Sequence, residues 1–162
     1  MQATPIPPRK PSARQSGLVL LAVLIFLLLT TLGASAMVEL QRTHAQRAKE
    51  EELLFVGDQY RRAIKSYYSS VPAGKSRTLP RSLDDLLEDK RFPMPVHHLR
   101  RLYPDPMTAK ADWVLVSGAG GILGVHSSST LSPFKKREFP IQYRDFQDKE
   151  TYAEWVFVAA VN

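Results

Sequence analysis

The chain has 162 residues, no cysteine and a formal net charge of +6. Without cysteine, disulfides and thiolate metal sites are excluded and the fold must hold by packing alone. The charge does not mark a nucleic-acid binder: Arg9, Lys10 and Arg14 hold half of the excess, leaving 19 basic against 16 acidic residues in the rest.

Those three cations form a basic leader, residues 1–17, with no acid among them. From Gly17 to Val38 there follow 22 residues without a charge, GLVLLAVLIFLLLTTLGASAMV. As a helix this run is about 33 Å long, enough for a hydrocarbon core of about 30 Å, so residues 18–38 are expected to form a transmembrane helix. Residues 39–62 carry five charges of each sign. The positive-inside bias then puts the N-terminus in the cytoplasm and residues 39–162 across the membrane.

The same run has three physical fates. It is long enough to stay as a plain signal anchor. It also has the parts of a cleavable secretory signal: a basic start, a 15-residue apolar core from Leu18 to Leu32, and the small residues Ala34-Ser35-Ala36. The third fate starts at Arg14-Gln15-Ser16-Gly17-Leu18, where a basic leader meets a glycine and then an uninterrupted apolar helix. This junction resembles the leader of type IV pilins and type II secretion pseudopilins. The resemblance implies a prepilin peptidase cutting between Gly17 and Leu18, with the apolar helix kept by the mature chain. The acidic residue that the family usually carries four positions on falls here on Ala22.

Beyond the run, residues 39–71 continue as helix, with no proline between Gly17 and Ser70. The first part is polar on nearly every face. From Leu53 an apolar stripe appears at Leu53, Val56, Tyr60, Ile64, Tyr67 and Val71, with helical spacing. Gly57 lowers helix stability by about 1 kcal/mol relative to Ala without ending it. The segment Val71-Pro72-Ala73-Gly74-Lys75 closes the helix and opens a head, residues 72–162.

In the head, Ser82-Leu83-Asp84-Asp85 predicts a second helix. Ser82 caps it, Asp85 stands in capping-box position, Leu83, Leu86 and Leu87 form its buried side, and Pro93 and Pro95 stop it. His97 to Tyr103 is expected to add a helical turn, and Tyr103-Pro104-Asp105-Pro106 an extended one. Trp113–Val116 and Ile122–Ser127 read as a hairpin around Gly-rich residues 117–121. Ser127–Thr130 with Lys135-Lys136-Arg137 reads as an exposed loop, and Tyr152–Val158 as a third strand. A long helix, a small helix and an antiparallel sheet make an α+β order.

Three blocks extend the resemblance over nearly the whole chain: Glu51 to Ile64, Leu102-Tyr103-Pro104-Asp105-Pro106-Met107-Thr108, and Gly124-Val125-His126-Ser127. Together with the leader they look like a major pseudopilin. The resemblance implies a pilin-like fold, a single pass through the bacterial inner membrane, and a periplasmic head. Its implied partners are membrane lipid, other pilin-like subunits, and secretion or pilus assembly machinery. Major pseudopilins hold calcium in the loop before the last strand. Here that region, Ser127 to Phe139, has no Asp and one Glu, so the site is not carried over.

No enzyme is legible. Gly118-Ala119-Gly120-Gly121 lies between strands and lacks the Lys-Ser or Lys-Thr of a phosphate loop. His44, His97, His98 and His126 form no ligand pattern, and Ser127–Ser129 beside His126 have no nucleophile elbow. Glu50-Glu51-Glu52 and Asp84-Asp85 read as solvated faces. Arg100-Arg101 and Lys135–Arg137 read as solvated loops, without the aromatic interleaving of a nucleic-acid surface. No cofactor and no metal are expected.

Overall fold

The computed structural model describes the backbone of residues 13–118 and 120–161, and the side chains of residues 17–30, 41–118 and 120–161. Most of the leader, residues 1–12, therefore lies outside the described residues. The chain divides into two compact units, residues 1–44 and 45–162. Helix α1, Ala13–Ser69, supplies the described part of the first and the opening element of the second.

The second unit is an α+β head. Three antiparallel strands, β1 (Val114–Gly118), β2 (Gly121–His126) and β3 (Phe157–Val158), lie in the order β1-β2-β3. The β1–β2 hairpin turns at Gly120, whose φ of +97° is open to glycine and strained for other residues. Short 3-10 helices occupy Asp84–Leu86, Ile141–Phe146 and Tyr152–Glu154.

The apolar stripe of α1 explains the core. Leu53, Val56, Tyr60, Ile64 and Tyr67 are buried, as the spacing predicts, and Val71, beyond the helix end, is half-buried. Against them pack Leu86, Leu99, Met107, Trp113 and Val125, and an aromatic cluster in which Phe146 stacks on Trp155 with ring centroids 5.5 Å apart. Gly57 belongs to this contact. A Cβ there would come within 2.5 Å of the Phe157 ring atoms Cδ2 and Cε1, so the glycine lets β3 meet the helix backbone.

Four expectations are corrected. The helix predicted from Ser82 is a single 3-10 turn, although its capping box forms. The Ser82 N–H donates to Asp85 Oδ2 at 3.0 Å and the Asp85 N–H to Ser82 Oγ at 3.4 Å. The turn stops because the Leu86 carbonyl is taken by the N–H groups of His98 and Leu99, each at 2.9 Å, and cannot continue an α-helix. Residues 97–103 likewise form bends and no helical turn. The Ser127–Thr130 loop is partly buried, with Ser127 and Ser129 inside the fold. The third strand shrinks to Phe157–Val158. Thr151 and Glu154 form a capping box that bends residues 152–154 into a 3-10 turn, using the backbone groups a ladder would need.

The C-terminus of α1 is fastened by Arg91. Its Nη2 donates to the carbonyls of Tyr67 at 2.6 Å and Ser70 at 3.0 Å, and its guanidinium lies 3.6 Å over the Tyr67 ring. A cation there satisfies end carbonyls and complements the helix dipole. Arg91 is itself held by Asp89, fully buried, at 2.7 Å, and Asp89 also meets His98 Nε2 at 3.2 Å. Burial alone would raise the Asp89 carboxyl, but hydrogen bonds from the side chain and backbone of Arg91 and from His98 bring it down to about 2.

Asp89→Ala leaves the Arg91 charge without its partner and is expected to cost roughly 3 kcal/mol in urea unfolding of the detergent-solubilised chain. Because the folded carboxyl titrates below its ordinary value, its contribution, about 2 kcal/mol, is complete above pH ~4. It disappears as pH falls through about 2, so the Asp89→Ala deficit must shrink in acid. Gly57→Ala gains about 1 kcal/mol of helix propensity but meets the Phe157 ring, an overpacking cost of roughly 1–3 kcal/mol. Its Tm is expected to fall, and a rise would contradict the contact.

Candidate functional site

Among the described residues the first unit presents an apolar helix that nothing covers. Between Leu18 and Leu29 the large apolar side chains are from 50% to 72% exposed, on every side of the helix. Thr30 turns its hydroxyl back to the Leu27 carbonyl at 2.9 Å, so the polar group needs nothing from outside. A helix that is apolar all round requires an apolar surrounding. Among the described residues no helix is long and apolar enough to cross a membrane. The described side chains of this run stop at residue 30, about 21 Å of helix from Gly17, and those of residues 31–38 lie outside them.

Gly17 and Leu18, the residues of the expected cleavage, both lie within α1. A Cβ on Gly17 would meet nothing within 4 Å, and Leu18 is 72% exposed. A peptidase needs an extended backbone, so the first two turns of α1 must open to offer the bond between them. Glycine lowers that cost, because it contributes least to helix stability.

In the head Glu51, Glu52 and Asp84 are exposed as expected, but one carboxylate of these runs is not. Glu50, expected on a solvated face, is buried. Its Oε1 accepts the Lys135 N–H at 2.9 Å and the Tyr152 hydroxyl at 3.3 Å, while Gln46 donates to the Tyr152 hydroxyl and the Ser132 carbonyl, each at 3.1 Å. The signal was present: Glu50 stands three residues before Leu53 and seven before Gly57, at the margin of the stripe. Asp58 is buried too, paired with Arg61 at 2.7 Å and Arg62 at 2.5 Å and accepting from the Tyr143 hydroxyl. Asp105 accepts from Ser127 Oγ at 2.6 Å and the Met107 N–H at 2.9 Å.

Glu50 and Asp58 join α1 to the loops that follow it, whereas Asp105 ties two of those loops together. Burial raises Asp58, but the hydrogen bonds of Tyr143 and Arg61 and the charges of Arg61 and Arg62 outweigh it, and the carboxyl ends below its ordinary value. Tyr143 is pushed up to about 12 by burial and then by Asp58. Tyr152 reaches about 12 by burial and the neighbouring Glu50. His97 and His98 diverge, His97 toward the Leu87 carbonyl and His98 toward Ser66 and Asp89. Among the described residues no group of His, Asp and Glu has the geometry of a metal site.

The head also has an open cavity of about 520 Å³ between Ala48, Glu52 and Val56 of α1 and the segment 101–109. Its floor is apolar, from Val56, Leu102, Tyr103, Pro104 and Pro106, and Lys49, Glu52 and Arg101 stand among its lining residues. Asp105 also lines it, but its carboxylate is engaged by Ser127 and Met107. The arrangement suits an apolar group with mixed charge around it.

Tyr143 and Tyr152 favour the protonated phenol in the fold, so their stabilisation is whole below pH ~10 and is lost as pH rises toward about 12. Tyrosinate absorbance at about pH 11 should show both still protonated in the folded chain. Deprotonation of either at its ordinary pH would contradict the buried network.

No protein-family model, no curated protein and no solved structure matches this chain, so its functional reading rests on its own residues.

Proposed function

We propose that the chain is a pseudopilin-like structural subunit of a type II secretion or type IV pilus-like assembly. It is anchored in the bacterial inner membrane by its N-terminal helix, with the N-terminus cytoplasmic and a pilin-like head in the periplasm, and it acts without catalysis. The observation that carries this is the apolar helix from Leu18 to Leu29, exposed on all sides and followed along α1 by a buried stripe in the head. Lipid and the helices of neighbouring subunits are the surroundings such a surface requires, and close packing between helices then holds subunits together.

Prepilin peptidase cleaves after Gly17 and leaves Leu18 as the first residue. The new ammonium group finds no carboxylate at position 22, where Ala22 stands, so this subunit cannot offer that charge to a neighbour within lipid. The missing carboxylate favours a minor or tip component over the body of a fibre. The same Ala22 favours a second reading, an uncleaved signal-anchored periplasmic protein of the cell envelope that binds a partner through its head.

Intact-mass measurement with N-terminal sequencing of native membrane-extracted protein separates them. The subunit reading expects a chain starting at Leu18, and Gly17→Ala, or loss of the peptidase, should leave the longer form. Retention of residues 1–17 in the wild type supports the anchored binding protein, and a soluble chain starting at Met37 contradicts both. Leu24→Lys puts a charge into the apolar run at a cost of about 3 kcal/mol and is expected to reduce the membrane-inserted fraction in carbonate extraction.

A further inference from the structure

Beside the Arg91 fastening, one cluster joins an exposed hydroxyl to a buried base. Ser66, exposed near the C-terminal end of α1, has its Oγ 2.9 Å from His98 Nδ1. Across the ring, Nε2 lies 3.2 Å from Asp89 Oδ2. The side chains of His98 and Asp89 are 1% and 0% exposed. We propose that Ser66 is an activated nucleophile that accepts one acyl group from an activated ester or thioester, with His98 as its base and Asp89 as the positioning residue.

The partners of the ring decide where its hydrogen sits. Asp89, held ionised by Arg91, can only accept. Nε2 must therefore carry the hydrogen, and the neutral ring keeps a lone pair on Nδ1 for the Ser66 O–H. Two further contacts hold the ring in place: the His98 N–H donates to the Leu86 carbonyl at 2.9 Å, and the Tyr67 ring meets the imidazole edge-on with centroids 5.5 Å apart. An exposed hydroxyl, a base against it and a carboxylate orienting that base are the parts from which an activated serine is built.

The surroundings also limit what the serine can do. Ser66 lies inside α1, where backbone N–H groups are bonded along the helix, and the N–H groups of His98 and Leu99 are taken by the Leu86 carbonyl. None of these donors is free to stabilise an oxyanion, so the site suits a single transfer and not turnover. In that transfer Ser66 Oγ forms a bond to the acyl carbon, and the bond to the leaving thiolate or phenolate breaks with its electron pair. The hydroxyl proton passes to His98 Nδ1, and the ester stays on the helix. This inference stands apart from the assembly reading.

The full chain in detergent is treated with p-nitrophenyl acetate, and the acetylated peptides are mapped over time. Ser69, three residues on and also exposed on α1, is the internal reference. Ser66 is expected to acetylate about a hundredfold faster than Ser69, the lower end of what a positioned base supplies. His98→Gln should bring Ser66 to the Ser69 rate, and Ser66→Ala should remove the fast phase. Nitrogen NMR of the histidine rings, with the His98 signal assigned by its loss in His98→Gln, should show the neutral ring with hydrogen on Nε2 and none on Nδ1. Asp89→Asn should erase that preference. Equal rates at Ser66 and Ser69, a fast Ser66 in folded His98→Gln, or hydrogen on Nδ1 of the neutral ring overturns the proposal, and a preference unchanged in Asp89→Asn overturns the part given to Asp89. Where a variant fails to fold, the wild-type rate ratio and ring tautomer still decide.

Discussion

The head depends on fastening one face of α1 while leaving the helix a defined end. An apolar stripe supplies most of the driving force, but it is not directional, and a helix can slide or rotate on an apolar floor. Registry comes from polar contacts at intervals along the helix: Glu50 to the Lys135 backbone and Tyr152, Asp58 to Tyr143, the Tyr60 hydroxyl to the Tyr103 carbonyl at 2.9 Å, and Arg91 to the last carbonyls. Each joins the helix to a different later segment, so together they fix its rotation and its height. Arg91 matters most, because it satisfies the helix end, stacks on Tyr67 and is fixed by Asp89 within one short loop.

The first unit follows another rule. From Leu18 to Leu29 the helix has no charge and no polar face, and among the described residues no partner surface covers it. In the head the same helix obeys the usual division into a buried stripe and a charged outer face carrying Glu51 and Arg62. A change of surroundings along one secondary-structure element accounts for both halves. On the proposed reading the polar network of the head fixes the rotation and height of α1 against the later segments, and the apolar segment is the part that lipid and neighbouring helices would cover.

Much of this was legible in the sequence because it depends on period. The stripe from Leu53 to Tyr67, the stop at Pro72, the hairpin around Gly120 and the α+β order all follow from spacing and turn chemistry. What was not legible depended on tertiary partners. The helix at Ser82 had a correct capping box but lost its later turns to the His98 and Leu99 amides, which lie ten and more residues away. The strand at Tyr152–Val158 was cut short by a second capping box, Thr151 with Glu154, whose S/T-x-x-E spacing was visible in the sequence and should have been read. Glu50 sat at the margin of the stripe, yet its flanking acids Glu51 and Glu52 made the run look solvated. Gly57 read as a mild defect in a helix, and only the Phe157 ring against it gives it a role. The candidate processing residues, Gly17 and Leu18, came from the leader pattern alone, whereas the cavity required the folded head.

The most direct measurement is lipid-phase photolabelling of the native protein in its own membranes with a probe confined to the hydrocarbon, followed by mapping of the labelled peptides. The account predicts label concentrated between residues 18 and 38 of a chain recovered with its membrane and still carrying that segment. Recovery of the protein in the aqueous fraction without those residues, or with the segment present but unlabelled, would contradict it.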